Sequence, residues 1–195
     1  MFPQSKIFSV KLPPLGLESV DVRWPTDKEW CTRTRALKIT QTSLGRGKFR
    51  TNAENAQKVN ADLFAAIRSG EGDLDEAEAS YVIDQLERCN VETADIDGQC
   101  FNVKLTVQGK FETAHRLKAP RQKLIVEYRR SLLDETFGRG RSEIRSKLEP
   151  AGELYDAIHE SHDGYEGEVP IIHKQAVVDA VIEKIQAIMD DSPEE

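Results

Sequence analysis

The chain is sparing with the residues that usually announce chemistry. Among 195 residues there are three cysteines, four histidines and two tryptophans, and aromatic residues make up 7%. Cys31, Cys89 and Cys100 are odd in number and show no metal-like pairing, which speaks against a disulfide framework and suits a reducing compartment. Long hydrophobic runs are missing as well. Ala176 to Ile182 is among the most apolar stretches, is interrupted by Asp179, and falls far short of the ~20 residues that span a bilayer. Met1-Phe2-Pro3-Gln4-Ser5-Lys6 has no basic stretch leading into an apolar run and no small-residue cleavage site, so the cytoplasm is the expected location. No catalytic signature is present, and no enzymatic activity or cofactor is expected.

What the chain does have is charge. Charged residues are 31% of the total against 38% hydrophobic, enough for a modest core under a heavily charged surface. The net charge of −7 argues against nucleic acid coating the whole surface and leaves room only for a local basic face.

The sequence also repeats itself. Phe8-Ser9-Val10-Lys11-Leu12 returns as Phe101-Asn102-Val103-Lys104-Leu105, and Gly45-Arg46-Gly47-Lys48 returns as Gly138-Arg139-Gly140-Arg141, both at an offset of 93. Pro25, Arg35 and Leu37 match Pro120, Arg130 and Leu132 at an offset of 95. Leu63 to Ile67 matches Leu154 to Ile158 at 91, and Val82-Ile83-Asp84 matches Val177-Val178-Asp179 at 95. Such ordered matches point to internal duplication. Charge follows the same period: residues 26–50 are mainly basic, 61–100 acidic, 115–148 basic and 149–195 acidic. Either each repeat pairs its own basic helix with an acidic one, or the repeats dock basic face to acidic face.

The expected fold class is α+β, with two tandem pseudo-symmetric repeats, each a β-hairpin followed by about three helices. The repeats span residues 1–98 and 99–189, and 190–195 form an acidic tail. Alternation over 7–12 and 18–24, flanking Pro13, Pro14 and Gly16, predicts the first hairpin. Cys100 to Val107 and Lys110 to Leu117 around Gln108-Gly109 predict the second. Pro25 and Pro120 end the strands. Helices are expected over 26–38, 55–68 and 75–89, then over 121–136, 150–160 and 171–188, with Thr26 or Asp27 capping the first and Glu29 in its first turn. Pairing one repeat's hairpin with the other's would form a four-stranded, pseudo-twofold sheet under the helices.

The Gly-Arg-Gly segments are the sharpest local features, because glycine amides beside fixed positive charge can hold an anion. They lack the hydroxyl and spacing of a phosphate-binding P-loop. The functional reading is contact with phosphate or an acidic partner through Arg46, Lys48, Arg50, Arg139 and Arg141. The plainer one, and the one favoured, is a glycine helix stop with solvated arginines. His159-Glu160-Ser161-His162-Asp163, with Glu166, Glu168 and His173, holds metal-ligand types without His-Glu-x-x-His spacing, so surface histidines beside a loop are expected and no metal. Cys31 has no histidine partner nearby in sequence and reads as a half-buried helix residue. Trp24, Trp30, Tyr128 and Tyr165 read as core or interface anchors.

A hairpin running into Arg23-Trp24-Pro25-Thr26-Asp27-Lys28-Glu29 and then a helix resembles the small tail assembly chaperones of long-tailed bacteriophages. The matching run of the second repeat, Arg116 to Lys123, lacks the Thr and Glu. The resemblance covers about thirty residues per repeat. It implies a non-catalytic phage or prophage protein that binds tail proteins during virion assembly, or a structural virion component, in the cytoplasm of a bacterial host or in the particle. Protein partners and a homo-oligomer are expected on this reading. A nucleic-acid-binding module using the basic helices and the Gly-Arg-Gly loops is the alternative.

Overall fold

A computed structural model describes residues 1–3, 7–12, 19–45, 48–70, 74–138 and 141–190; for 42–45, 48–51, 133–138 and 141–143 it is the backbone that is described. The fold is α+β. In chain order the elements are β1 (Ile7–Val10), β2 (Val20–Arg23), α1 (Asp27–Ala36), β3 (Ile39–Gly45), β4 (Lys48–Ala53), α2 (Ala56–Ile67) and α3 (Glu76–Glu87). They continue with β5 (Cys89–Asp97), β6 (Cys100–Val107), β7 (Phe111–Lys118), α4 (Gln122–Ser131), β8 (Leu133–Gly138), β9 (Arg141–Ser146), α5 (Glu149–Ile158), β10 (His159–Asp163) and α6 (Ile171–Asp190). The acidic tail beyond Asp190 lies outside the described residues.

Contacts divide the chain into two compact units that interleave in sequence. Unit 1 is Met1–Gln4, Arg88–Arg129 and Glu149–Glu195; unit 2 is Ser5–Glu87 and Arg130–Leu148. The expected cut at 98/99 is a cut by sequence repeat, whereas the contacts place 130–148, from the second half, with the first.

In unit 2, β1 and β2 pair antiparallel with Phe8 opposite Val22, and both side chains are buried. Pro25 ends that ladder, and Thr26 caps α1. The cap is reciprocal: the Glu29 amide donates to the Thr26 hydroxyl at 3.3 Å, and the Thr26 amide donates to Glu29 Oε2 at 2.8 Å. Arg23 grips the same carboxylate with two nitrogens at 2.8 and 2.6 Å and donates to the Ala66 carbonyl at 3.0 Å, which ties β2 to α1 and α2. That guanidinium, aided by the Thr26 bonds, holds the Glu29 carboxyl down to about 2. Val59, Leu63, Phe64 and Ile67 of α2 face Ala79, Val82, Ile83 and Leu86 of α3 at helical spacing, beside Trp24 and Trp30.

Strands replace the expected glycine helix stops. Residues 39–45 pair with 48–53, so Gly45 closes a hairpin opposite Lys48; likewise Gly138 closes one opposite Arg141. Alternating Ile39, Thr40 and Thr42 suit a strand better than a helix. Leu133 to Phe137 lie where a helix was expected through 136, yet α4 ends at Ser131. The reason is long-range: β9 also pairs with β3, Ile39 opposite Ile144, and a sheet partner outweighs weak local helix propensity.

The expected sheet of first hairpins is also corrected. β1 and β2 form a sheet of two, while β6 and β7 sit within the order β10-β7-β6-β5. The sheet that joins the sequence halves is built from the later hairpins, in the order β4-β3-β9-β8. Its central pair sets the first strand of one hairpin against the second strand of the other, which a twofold axis does not produce.

Unit 1 follows the hairpin expectation closely. Gln108 and Gly109, at φ of 51° and 65°, turn the chain between β6 and β7, and the Lys110 amide donates to the Val107 carbonyl at 3.0 Å. Phe101, Val103, Leu105 and Val107 alternate inward along β6, and Thr113, His115 and Leu117 do so along β7. α5 and α6 supply Leu154, Tyr155, Ile158, Val177, Val178 and Val181. Tyr128 of α4 donates to Asp179 of α6 at 2.7 Å.

Candidate functional site

Three of the five basic residues singled out in the sequence belong to one sheet. Lys48 and Arg50 lie on β4 and Arg141 on β9; Arg46 and Arg139 lie outside the described residues. Arg50 and Arg141 both pair with Thr42, one on each side of β3. Because β3 and β9 are antiparallel, β3 runs toward the closing pair of its hairpin and β9 runs away from the closing pair of its own. Both closing pairs, Gly45 with Lys48 and Gly138 with Arg141, therefore stand at the same end of the sheet. The sequence placed these motifs 93 residues apart. Sheet topology brings them together.

The basic helices offer less than the charge pattern suggested. Arg33 is 8% exposed and joins three helices: Nε donates to Asn60 at 2.8 Å, the terminal nitrogens reach the Glu87 carboxylate at 2.9 Å, and the guanidinium lies 5.6 Å from the Trp30 ring centre. This ion pair joins basic α1 to acidic α3. On α4, Lys123 pairs with Glu127 at 3.8 Å and Arg129 donates to Gln186 of α6 at 3.1 Å.

All four histidines gather in unit 1. His159 and His162 lie on β10, where a register shift between His159 and Ser161 inserts one extra residue. A regular strand would send these two side chains to opposite faces; the bulge restores one face, and their ring nitrogens meet at 3.0 Å. His115 Nδ1 is 2.9 Å from the Tyr155 hydroxyl, and its Nε2 is 3.4 Å from both Thr113 Oγ1 and the Tyr165 hydroxyl. Tyr155 stacks on His159 at 5.1 Å, and His173 packs on Phe2 at 5.1 Å and Tyr165 at 5.8 Å.

The expectation of surface histidines beside a loop is thus corrected for His173, which is fully buried in the first turn of α6 with Ile171 and Ile172. Burial, reinforced by His162 and His159, pushes the His115 imidazole down to about 3; burial, reinforced by His115, does the same to His173. Both rings are neutral at pH 7. Burial likewise raises the phenols of Tyr155 and Tyr165 well above their usual range. Among the described residues no three histidine, cysteine or acidic side chains converge as metal ligands. His115 and His173 are an uncharged part of the core, whereas His159 is half-buried and His162 exposed on β10.

No family model, curated protein or solved structure matches the chain.

A surface that the sequence reading passed over is β5. It ends the order β10-β7-β6-β5, and among the described residues no strand pairs with its outer edge. Val91 and Ile96 are each 45% exposed, in company with the acidic Glu92, Asp95 and Asp97. A register shift between Val91 and Thr93 and the row of acids discourage a second identical strand from adding there. The available signal was Asp97-Gly98, with Gly98 at φ 63°, a turn pair preceding a strand already recognised. Cys89, at the start of β5, has its thiol pushed up to about 11 by burial, which makes it a poor nucleophile. Cys31 is buried in α1.

Proposed function

We propose that this is a non-catalytic protein that binds other proteins during the assembly of a bacteriophage tail, or as a structural component of the virion, and that β5 is the strand it offers. The observation that carries the reading is the nine-residue edge strand with two exposed aliphatic side chains and three acids. A partner strand with basic side chains can add its backbone hydrogen bonds to that edge while its charges meet Glu92 and Asp95, Asp97 being held by Arg116 at 2.9 Å. The resemblance of the Arg23 to Glu29 entry into α1 to tail assembly chaperones supplies the partner class. Glu29 serves there as a helix cap and as the seat of Arg23, which is a scaffold's use of charge.

The chain reads further as an internal duplication of two hairpin-plus-helices repeats, 1–98 and 99–189. Supporting this, β1-β2-α1-β3-β4-α2-α3-β5 and β6-β7-α4-β8-β9-α5-β10-α6 run in the same order apart from β5 and β10. The test is capture of partners from native cells by the tagged chain and by V91K/I96K, each with and without nuclease. Virion proteins that survive nuclease and are lost with V91K/I96K are the expected result. Partners indifferent to the substitutions, or present only while nucleic acid is intact, overturn the reading.

A further inference from the structure

We propose that His159 and His162 chelate a divalent transition-metal ion, copper(II) before nickel(II), on the edge strand β10 of the β10-β7-β6-β5 sheet. The inference rests on unit 1 alone and is independent of the β5 reading. Three observations carry it. First, His159 Nε2 and His162 Nδ1 stand 3.0 Å apart. Two imidazole nitrogens at that 3.0 Å spacing, each about 2.05 Å from one ion, subtend about 94° at the metal, whereas a tetrahedral ion needs about 3.35 Å between them. The spacing is thus that of neighbouring positions in a square-planar or tetragonal ion, the geometry that copper(II) and nickel(II) take with nitrogen ligands. Second, the strand is built to bring the two rings together. Glu160 is the unpaired residue of the register shift, so His159 stands opposite Leu117 and His162 opposite His115, two inward positions of β7. The Glu160 carboxylate is committed elsewhere, to Arg116 at 3.3 Å and Lys118 at 3.8 Å. Third, both rings are held in place. Tyr155 stacks on His159 with centres 5.1 Å apart and planes 27° apart, and Tyr165 meets His162 edge-on at 5.9 Å. Tyr155 is fixed in turn by His115 Nδ1 at 2.9 Å. Ligands already ordered by their neighbours lose little rotamer freedom when an ion arrives.

One ring donates its N–H to the other across the 3.0 Å gap. Shifting that proton to the donor ring's second nitrogen frees both lone pairs for an ion with no net loss of a proton, because a neutral imidazole carries its hydrogen on either nitrogen. β10 ends the sheet order and His162 is exposed, so the remaining coordination positions are open to water. Half the protein ligands of a closed structural zinc site, taken on a logarithmic scale, place Kd at about 1–200 μM.

The test is isothermal titration calorimetry of the full chain, free of any polyhistidine tag, with copper(II), nickel(II) and zinc(II) chlorides in a non-coordinating buffer at about pH 7.5, where ordinary imidazoles are neutral. One equivalent of copper(II) is expected, with nickel(II) next and zinc(II) weaker than copper(II) by at least about tenfold. H162Q, at an exposed position, and H159F, which keeps a ring against Tyr155, should each weaken copper(II) at least about tenfold. H162Q decides if circular dichroism shows that H159F does not fold. C100S, on β6, should bind as the parent does, which separates the site from thiol chemistry. Substoichiometric copper(II) should broaden the ring signals of His159 and His162 before that of His173. Four results overturn the proposal: no saturable binding of copper(II) or nickel(II) at up to about 1 mM ion, affinity unmoved in the folded histidine variants, zinc(II) bound as tightly as copper(II), or an equal loss in C100S.

Discussion

Acid should unfold unit 1 through two buried imidazoles. His115 and His173 are held down to about 3 in the folded chain, against an ordinary 6.5 once unfolding returns them to water. Well above pH 6.5 neither state binds a proton at these rings and they make no pH-dependent contribution. Below pH 6.5 the unfolded chain takes up protons that the folded one refuses, so stability falls as pH falls, by about 1.4 kcal/mol per pH unit for each ring. The loss is about 3 kcal/mol at pH 5.5 for the two together and between 5 and 6 kcal/mol at pH 4.5, comparable with the whole stability of many domains. Glu29 acts in a lower window: its contribution is complete above about 4.5 and is lost as pH falls toward 2, so measurements above pH 5 leave it in place. Urea unfolding followed by circular dichroism, repeated from pH 7.5 to 5, should give a linkage slope approaching two protons. H173F, an apolar ring of similar size between Phe2 and Tyr165, should bring the slope toward one while leaving stability at pH 7.5 within about 1.5 kcal/mol of the parent. Histidine ring signals should show His115 and His173 still neutral at pH 5. A slope below half a proton, or either ring titrating near 6.5, refutes the argument.

Two further outcomes follow from local geometry. E29Q removes the carboxylate that both closes the capping box and seats Arg23, so thermal unfolding followed by Trp24 and Trp30 emission should reveal a loss of about 1–2 kcal/mol; a change under 0.3 kcal/mol would mean that the cap contributes little. G164A should cost more than G98A, although both glycines have positive φ, because a Cβ at 164 meets the Glu112 carbonyl oxygen at 2.6 Å while one at 98 meets nothing within 4 Å. Equal melting temperatures for the two variants would contradict that ranking.

Local chemistry was legible wherever it was self-contained. The Gln108-Gly109 turn, the inward alternation of β6, the proline stops and the start of α1 at Thr26 each depend on a few neighbouring residues, and the structure shows them as read. The apolar stripes of α2, α3 and α6 were visible for the same reason: a helix buries a face at a period written in its own sequence. Elements whose partner is distant were misread. Residues 39–45 and 133–138 pair within their own hairpins, and β3 meeting β9 more than ninety residues away joins the two hairpins into one sheet. The histidines were judged by spacing, and neither the bulge that turns His159 and His162 to one face nor the burial of His173 leaves a mark on spacing.

By itself the sequence determined composition, the duplicated motifs, most helices and both early hairpins, because these are set by interactions within a turn or a strand pair. Tertiary structure alone decided that the two Gly-Arg-Gly hairpins share one end of a sheet, that Arg33 is spent inside the core, and that β5 is left at an edge. Each of these depends on which strand neighbours which, and neighbourhood in a sheet is a long-range choice between pairings that differ little in local energy.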